Sequence, residues 1–163
     1  MVADNVSEIA EDGQGYAKLV LTELYLRAKK LADDYWAEFT EINRGQYNKP
    51  AELRQIGRYG PNVQLHPRNE KIYIEWRSYS PSRTGKRQKI YGERIRPRRG
   101  LNYHPTQFSK AYPWELERIV KLEEQFQELR TMIEIYHGMN KGLKRFLQKS
   151  KQELTMVEDS EHE

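Results

Sequence analysis

The 163-residue chain is charged at 32% of its positions, hydrophobic at 37%, and carries a net charge of +4. It has no cysteine, which excludes disulfide bonds, thiolate metal sites and cysteine catalysis. No apolar stretch approaches the roughly 20 residues of a membrane-spanning helix, and the first residues do not resemble a signal peptide. We therefore expect a cytoplasmic protein that makes no membrane contact.

The N-terminal part predicts one long helix behind a disordered start. Residues 1–15 are acidic and polar, so we expect them to be disordered. From Tyr16 to about Asn43, apolar residues recur at spacings of three and four, as in a helix with one buried face. These residues are Leu21, Leu24, Ala28, Leu31 and Tyr35. Gly45 and Pro50 favour the end of this helix.

The middle of the chain changes to the period of two that is typical of strands. Residues 44–62 are rich in Gly, Asn and Pro and predict a connection. Val63 and Leu65 then mark a first strand, and Pro67–Glu70 predicts a turn. In the second strand one face holds Ile72, Ile74 and Trp76, and the other holds Tyr73, Glu75, Arg77 and Tyr79.

A hairpin is predicted to follow the second strand. Pro81–Gly85 has the composition of a hairpin loop, and residues 86–96 return as a third strand that Pro97 stops. The three strands then form an antiparallel meander with one buried face and one face in water.

The C-terminal part predicts a second long helical region after an irregular link at residues 97–112. Pro113 suits the first turn of a helix. Glycine weakens a helix by about 1 kcal/mol relative to alanine, so we expect a bend or break near Gly138, with a helical hairpin as one outcome. Residues 155–163 predict a disordered acidic tail. The apolar residues of this region recur at spacings of three and four, namely Ile119, Leu122, Phe126, Leu129, Ile133 and Tyr136.

Together these elements predict an α+β fold: an N-terminal helix, a three-stranded antiparallel meander and a long C-terminal helical region. We expect a single domain over residues 16–154. The apolar stripe of the C-terminal helix has two interpretations. One is packing against the N-terminal helix and the sheet, and the other is the seam of a coiled-coil homodimer.

Positive charge is concentrated in one block of the chain. Residues 77–99 contain nine Lys and Arg residues and a single carboxylate, Glu93, so this block carries +8 and the remainder carries −4. Such segregation indicates a polyanionic partner. The simplest alternative is a solvated face balanced by the acidic termini or by an acidic protein.

Nucleic acid is the polyanion that this block suits best. Lys and Arg gain affinity by displacing counterions from phosphates, and Arg also reads guanine in the major groove. A two-stranded ribbon fits the major groove, whereas residues 94–100 could instead lie along a minor groove. We expect Trp76 to be core and Tyr79 to be an exposed stacking platform. The candidate DNA-binding residues are Arg77, Tyr79, Arg83, Lys86, Arg87, Lys89, Arg94, Arg96, Arg98 and Arg99.

The sequence does not predict an enzyme. Its four histidines are scattered, and no pair has the spacing of metal ligands. Glu75 and Glu93 are explained by cross-strand pairing with Arg or Lys. No phosphate-binding glycine loop or serine-nucleophile motif is found. We therefore expect no catalytic residues, no metal and no cofactor.

Several short pieces of the chain, taken in order, carry a family resemblance. They are Ile72–Arg77, Ile95–Gly100 with Tyr103, Ala111–Glu115, Glu123–Phe126 and Leu129–Arg130. In this order the pieces resemble the MobI-type conjugative transfer proteins, which are auxiliary mobilisation factors of conjugative plasmids and integrative conjugative elements. The resemblance covers roughly residues 60–137.

The resemblance implies a protein that recognises the origin of transfer and helps a separate relaxase to nick double-stranded DNA. It supplies no catalytic residues. Two alternatives remain from the residues themselves: an adaptor that binds another protein, and a protein that binds single-stranded nucleic acid or RNA through the same basic hairpin.

Overall fold

The computed structural model describes residues 2–79, 92–98 and 100–160 and confirms the α+β fold. Its long helices are α1 (Val2–Tyr47) and α2 (Pro113–Ser160), and its strands are β1 (Tyr59–Leu65), β2 (Ile72–Ser78) and β3 (Glu93–Arg94). Short 3-10 helices span Ala51–Leu53 and Pro105–Phe108. Within the described residues, neither long helix contains a segment apolar enough to cross a membrane.

The strands form an antiparallel sheet in the order β1-β2-β3. The predicted turn between β1 and β2 is confirmed, because the His66 N–H donates to the Lys71 carbonyl at 2.8 Å and Glu70 adopts a φ of 54°. The prediction that residues 44–62 are all connection is wrong, since β1 begins at Tyr59. Pro61 is tolerated because β1 is an edge strand.

The third strand is shorter than predicted in the part that the structure describes. It ends at Arg94 rather than Arg96, since the Ile95 N–H still donates to the Trp76 carbonyl of β2 but the Arg96 carbonyl bonds outside the sheet. The Arg96 carbonyl accepts from the side-chain amide of Gln107 at 2.6 Å. The predicted loop Pro81–Gly85 and residues 86–91 of the predicted strand lie outside the described residues.

The chain divides into two compact units, of which the larger spans residues 25–130 and is called the sheet unit. Trp76 lies fully buried at its centre, as expected. The rings of Tyr35, Phe108 and Phe126 surround it with centroids 5.3–6.1 Å away. Aromatic rings meeting edge to face bury a large apolar area, so this cluster forms the core of a chain that has few aliphatic residues.

The second unit, called the helical unit, consists of Met1–Leu24 and Thr131–Glu163. Here the early part of α1 pairs with the late part of α2. Gly13 lies against the Leu143 side chain, and the rings of Tyr16 and Tyr136 meet at 6.2 Å. The prediction of a single domain over residues 16–154 stays a prediction.

The structure corrects the ends of both helices. α1 begins at Val2 rather than Tyr16, so most of the segment predicted to be disordered is helical. α2 continues to Ser160, so residues 155–160 of the predicted acidic tail are helical, and it does not break at Gly138. Residues 161–163 of that tail lie outside the described residues. Packing between two helices stabilises segments that propensity alone leaves marginal, which explains the early start of α1 and the continuity of α2 at Gly138.

The apolar stripe of α2 is buried within the chain, which confirms the packing interpretation. Ile119, Leu122, Phe126 and Leu129 are buried in the sheet unit, and Ile133 is buried in the helical unit. This stripe is therefore not free to form the seam of a coiled-coil dimer.

A buried ion pair joins α2 to the sheet. The guanidinium of Arg130 holds both carboxylate oxygens of Glu123 at 2.7 and 2.9 Å and donates to the Ile74 carbonyl. Glu123 also accepts from the Trp76 indole at 2.8 Å and from the Tyr103 N–H at 3.0 Å. Both charges are thus fully bonded, which is what a buried pair requires.

Glu115 performs a related task at the start of α2. It is fully buried, and one of its oxygens accepts from the N–H groups of Arg58 and Tyr59 at 2.5 and 2.7 Å. The other oxygen is buried without a partner. Removal from water raises the pKa of Glu115 above its ordinary value, although the two backbone donors act in the opposite direction.

Substituting Arg130 should destabilise the sheet unit strongly. Arg130→Met leaves the Glu123 carboxylate buried and unpaired, which costs about 3–5 kcal/mol of unfolding free energy. Urea denaturation measures this difference. The matched control is Lys30→Met, which removes the exposed ion pair with Asp34 and should have little effect. Equal destabilisation of the two variants would contradict the assigned role of the buried pair.

Glu115 should make stability depend on pH in one direction. With a raised pKa, the folded protein retains a proton that the unfolded chain releases. The unfolding free energy of the native chain, relative to Glu115→Gln, should therefore fall as the pH rises above 4.5 and level off beyond the raised pKa. Denaturation curves of both proteins across this range test the sign. A relative increase with pH would show that the backbone donors outweigh burial.

Candidate nucleic-acid interface

The structure places five of the predicted DNA-binding residues. Arg77 is in β2, Tyr79 follows it, Arg94 ends β3, and Arg96 and Arg98 come next. The remaining candidates lie outside the described residues, namely Arg83, Lys86, Arg87, Lys89 and Arg99. The described part of the site is therefore the edge formed by β3 and the residues after it.

Two arginines at this edge share one carboxylate. Arg77 and Arg94 are directly opposite across β2 and β3, where like charges repel. Glu75 neutralises part of this charge, with an oxygen 2.9 Å from the Arg94 guanidinium and another 3.8 Å from that of Arg77. This confirms the predicted pairing of Glu75 with arginine. One carboxylate between two cations leaves a net charge of +1.

Glu75 also corrects the prediction that this face of β2 lies in water. Its side chain is buried, at 8% exposure of the residue, and the Arg77 side chain is 21% exposed. The Arg94 side chain remains 55% exposed. Glu75 therefore holds the Arg77 side chain in a largely buried position, whereas the Arg94 side chain remains accessible to a ligand.

Beyond Glu75, residues 94–98 lie at the end of β3 and directly after it, and we call them the arginine segment. Arg94, Arg96 and Arg98 are exposed, whereas the intervening Ile95 and Pro97 are half-buried. This alternation of exposed and half-buried residues indicates that the three arginines share the solvent side of the segment. The segment therefore holds its apolar side against the protein and presents a row of guanidinium groups to solvent.

The arginine segment is tied down at each step. The Ile95 N–H donates to the Trp76 carbonyl at 2.9 Å, and Gln107 donates to the Arg96 carbonyl. The Arg98 guanidinium donates to the Thr106 hydroxyl at 3.2 Å. These bonds anchor the described residues to the sheet and to the 3-10 helix, and the interpretation that residues 94–100 lie along a minor groove stays a prediction.

Gln107 is a positioning residue that sequence reasoning missed. Its carbonyl accepts from the His104 N–H at 2.9 Å while its amide holds the Arg96 carbonyl. His104 caps the same 3-10 helix, and Pro105 begins it. The signal was present in the sequence as a cap-like His104-Pro105-Thr106-Gln107 run, but the partner on the arginine segment is visible only in the structure.

Tyr79 differs from its predicted role as an exposed platform. Its ring is half-buried, meets the Trp36 indole at 5.3 Å, and lies where a Cβ on Gly92 would be only 2.8 Å away. Burial raises the pKa of Tyr79. Gly92 thus permits a close approach that orients the start of β3, and Tyr79 supports the site more than it offers a stacking surface.

The residues that carried the family resemblance converge in the same region. Trp76, Tyr103, Glu123 and Arg130 form the buried bonded cluster, and Glu115 anchors the start of β1. The matching pieces of sequence are therefore mainly the framework beneath the arginine segment.

Comparison with known proteins finds a matching family. The family model described as MobI protein matches residues 24–144, which is most of the chain and includes the whole sheet unit. No curated protein and no solved structure matches the chain. The chain therefore belongs to the MobI family of conjugative transfer proteins.

Proposed function

We propose that this protein is a DNA-binding accessory factor of conjugative transfer, which recognises the origin of transfer and assists a separate relaxase. Family membership supports a role in mobilisation. The arginine segment supports double-stranded DNA as the ligand. In this proposal the protein acts in the cytoplasm and contributes binding and orientation, with no catalytic residue or cofactor of its own.

The observation that carries the proposal is the anchored row of exposed arginines. Arg94, Arg96 and Arg98 present positive charge on one side of a backbone that is already ordered. A pre-ordered row loses less conformational freedom on binding than a disordered arm. Closely spaced guanidinium groups release counterions from a phosphate backbone and add the bidentate geometry that suits phosphate or guanine.

The same geometry favours duplex DNA over single strands. Single-strand binders combine a basic groove with exposed aromatic rings on which bases stack. The candidate ring, Tyr79, packs against Trp36 and is half-buried. The contacts proposed here are therefore between arginines and the backbone or groove edges of a duplex.

Removing single arginines should change the salt dependence of DNA binding. For Arg96→Ala and Arg98→Ala, the slope of log K against log salt concentration should become shallower by about 1 for each arginine that no longer binds a phosphate. Fluorescence anisotropy with a labelled duplex, repeated over a salt series, measures this slope. An unchanged slope in both variants would contradict the proposed contact surface.

Arg68→Ala is the matched control for this experiment. Arg68 is equally exposed but lies in the turn between β1 and β2, at the end of β2 remote from β3. The control should keep the native slope. Competition with single-stranded oligonucleotides of the same sequence distinguishes the duplex proposal from the single-strand alternative. If the protein binds duplex DNA, these oligonucleotides should displace little of the labelled duplex.

A footprint on the transfer region tests recognition separately from general DNA affinity. The purified protein should protect a discrete site in duplex DNA from the origin of transfer of its own element, and it should increase nicking there by the cognate relaxase. Retention on the relaxase without any protection of DNA would instead support the adaptor function. If the protein neither protects DNA nor changes the rate of nicking, the proposal is rejected.

A further inference from the structure

The helical unit has an apolar face that its own packing does not use. On α2, the side chains of Met132, Ile135, Met139 and Phe146 are 39–59% exposed. Their spacings of three, four and seven place them in one row along the helix. This row is distinct from the buried row that contains Ile133 and Leu147.

A second exposed row lies on α1. Val6, Ile9 and Tyr16 are 45–63% exposed, and Gly13 lies between them. A Cβ at Gly13 would lie 3.7 Å from the Met139 methyl group, so the exposed rows of the two helices meet there. The rows therefore form one continuous surface, which we call the apolar face.

The pair of helices already has its own core without this face. Ala10 and Ala17 of α1 are buried, as are Ile133 and Leu147 of α2. The side chains on the other flank of α2 are polar, including Glu134, His137, Lys141 and Lys144. The exposed apolar residues thus lie on one side only, which is the arrangement expected of a helix pair that packs against another layer.

The size of the apolar face suits a protein interface. Monomeric proteins rarely expose contiguous apolar patches above roughly 300–600 Å². Seven large side chains that are about half exposed offer several hundred Å², which is a large part of the roughly 800 Å² that each partner buries in a standard interface.

Charge indicates which partner fits. The contacts of Gly13 with Met139 and of Tyr16 with Tyr136 place the start of α1 level with about residue 150 of α2. Residues 1–24 contain five carboxylates and one lysine, so they carry −4, whereas residues 131–150 contain four cations and one carboxylate and carry +3. The two helices of this unit are therefore oppositely charged along their shared length.

We propose that a second copy of this chain docks on the apolar face, forming a homodimeric four-helix bundle in which α1 of each copy lies over α2 of the other. In this arrangement every helix has only antiparallel, oppositely charged neighbours. The reversed pairing, with α1 on α1, would place −4 against −4. This inference depends on the helical unit alone and does not require DNA binding.

The oligomeric state of the full chain tests the proposal. Sedimentation equilibrium should give twice the 19.5 kDa chain mass for the native protein. Interfaces of this size bind in the micromolar to picomolar range, so the series must extend well above micromolar concentration. Ile135→Glu, which places a charge in the apolar face, should shift the protein to the monomer mass. A monomeric native protein, or a dimeric Ile135→Glu, overturns the proposal.

Thr22→Glu is the matched control. Thr22 is exposed on α1 and lies thirteen residues on from Ile9, which turns its side chain by about 140° away from the row of Ile9 and Tyr16. This variant should remain dimeric, and a monomeric Thr22→Glu would overturn the assignment of the interface. Circular dichroism of both variants should show native helix content. A loss of helix content in Ile135→Glu alone would show that Ile135 is needed for folding of the single chain, which counts against the proposed interface.

The absence of native cysteine allows the arrangement itself to be tested. Ile9→Cys and Phe146→Cys proteins of distinguishable size are mixed and oxidised. Ile9 and Phe146 lie at nearly the same level of the antiparallel pair, so α1 over α2 predicts that the mixed cross-linked dimer predominates. Predominance of dimers linked through two identical positions would overturn the proposed pairing.

Discussion

The buried contact between Glu123 and Arg130 is the interaction on which the rest of the sheet unit depends. A carboxylate and a guanidinium are tolerated there because every charged atom has a partner, including the Trp76 indole, the Tyr103 N–H and the Ile74 carbonyl. These partners come from β2, from the link after β3 and from α2. One ion pair therefore ties together three segments of the sheet unit, and it orients them more specifically than apolar packing alone.

Polar side chains have a second task closer to the surface. Glu75 allows Arg77 and Arg94 to occupy facing positions on neighbouring strands, and Gln107 holds the backbone between the exposed arginines. The result is an excess of positive charge on an ordered strip. Repulsion among cations would disperse a free arm, whereas here hydrogen bonds to the backbone oppose it. Glu75 thus lets two arginines lie close together and still leaves the surface with a net positive charge.

The helical unit follows a different physical rule. Its two helices carry opposite net charge and pack through small residues at Ala10, Gly13 and Ala17, which lets them approach closely. The remaining apolar residues gather on one face because a two-helix layer can enclose only a narrow core. The two proposed binding surfaces thus belong to different units of one small chain. The sheet unit carries the arginines proposed to contact DNA, and the helical unit carries the apolar face proposed to contact a second copy.

The sequence by itself determined the element types, the order of the strands, the burial of Trp76 and the position of the basic block. These features follow from periodicity and charge, which are local properties of the chain. Only the tertiary structure decided that β1 begins at Tyr59, that α1 begins at Val2, that Tyr79 packs on Trp36, and that Glu75, Glu115 and Glu123 are buried. Each of these depends on a partner far away in the sequence: a glutamate reads as a surface residue until the arginine or backbone N–H group that satisfies it is in place.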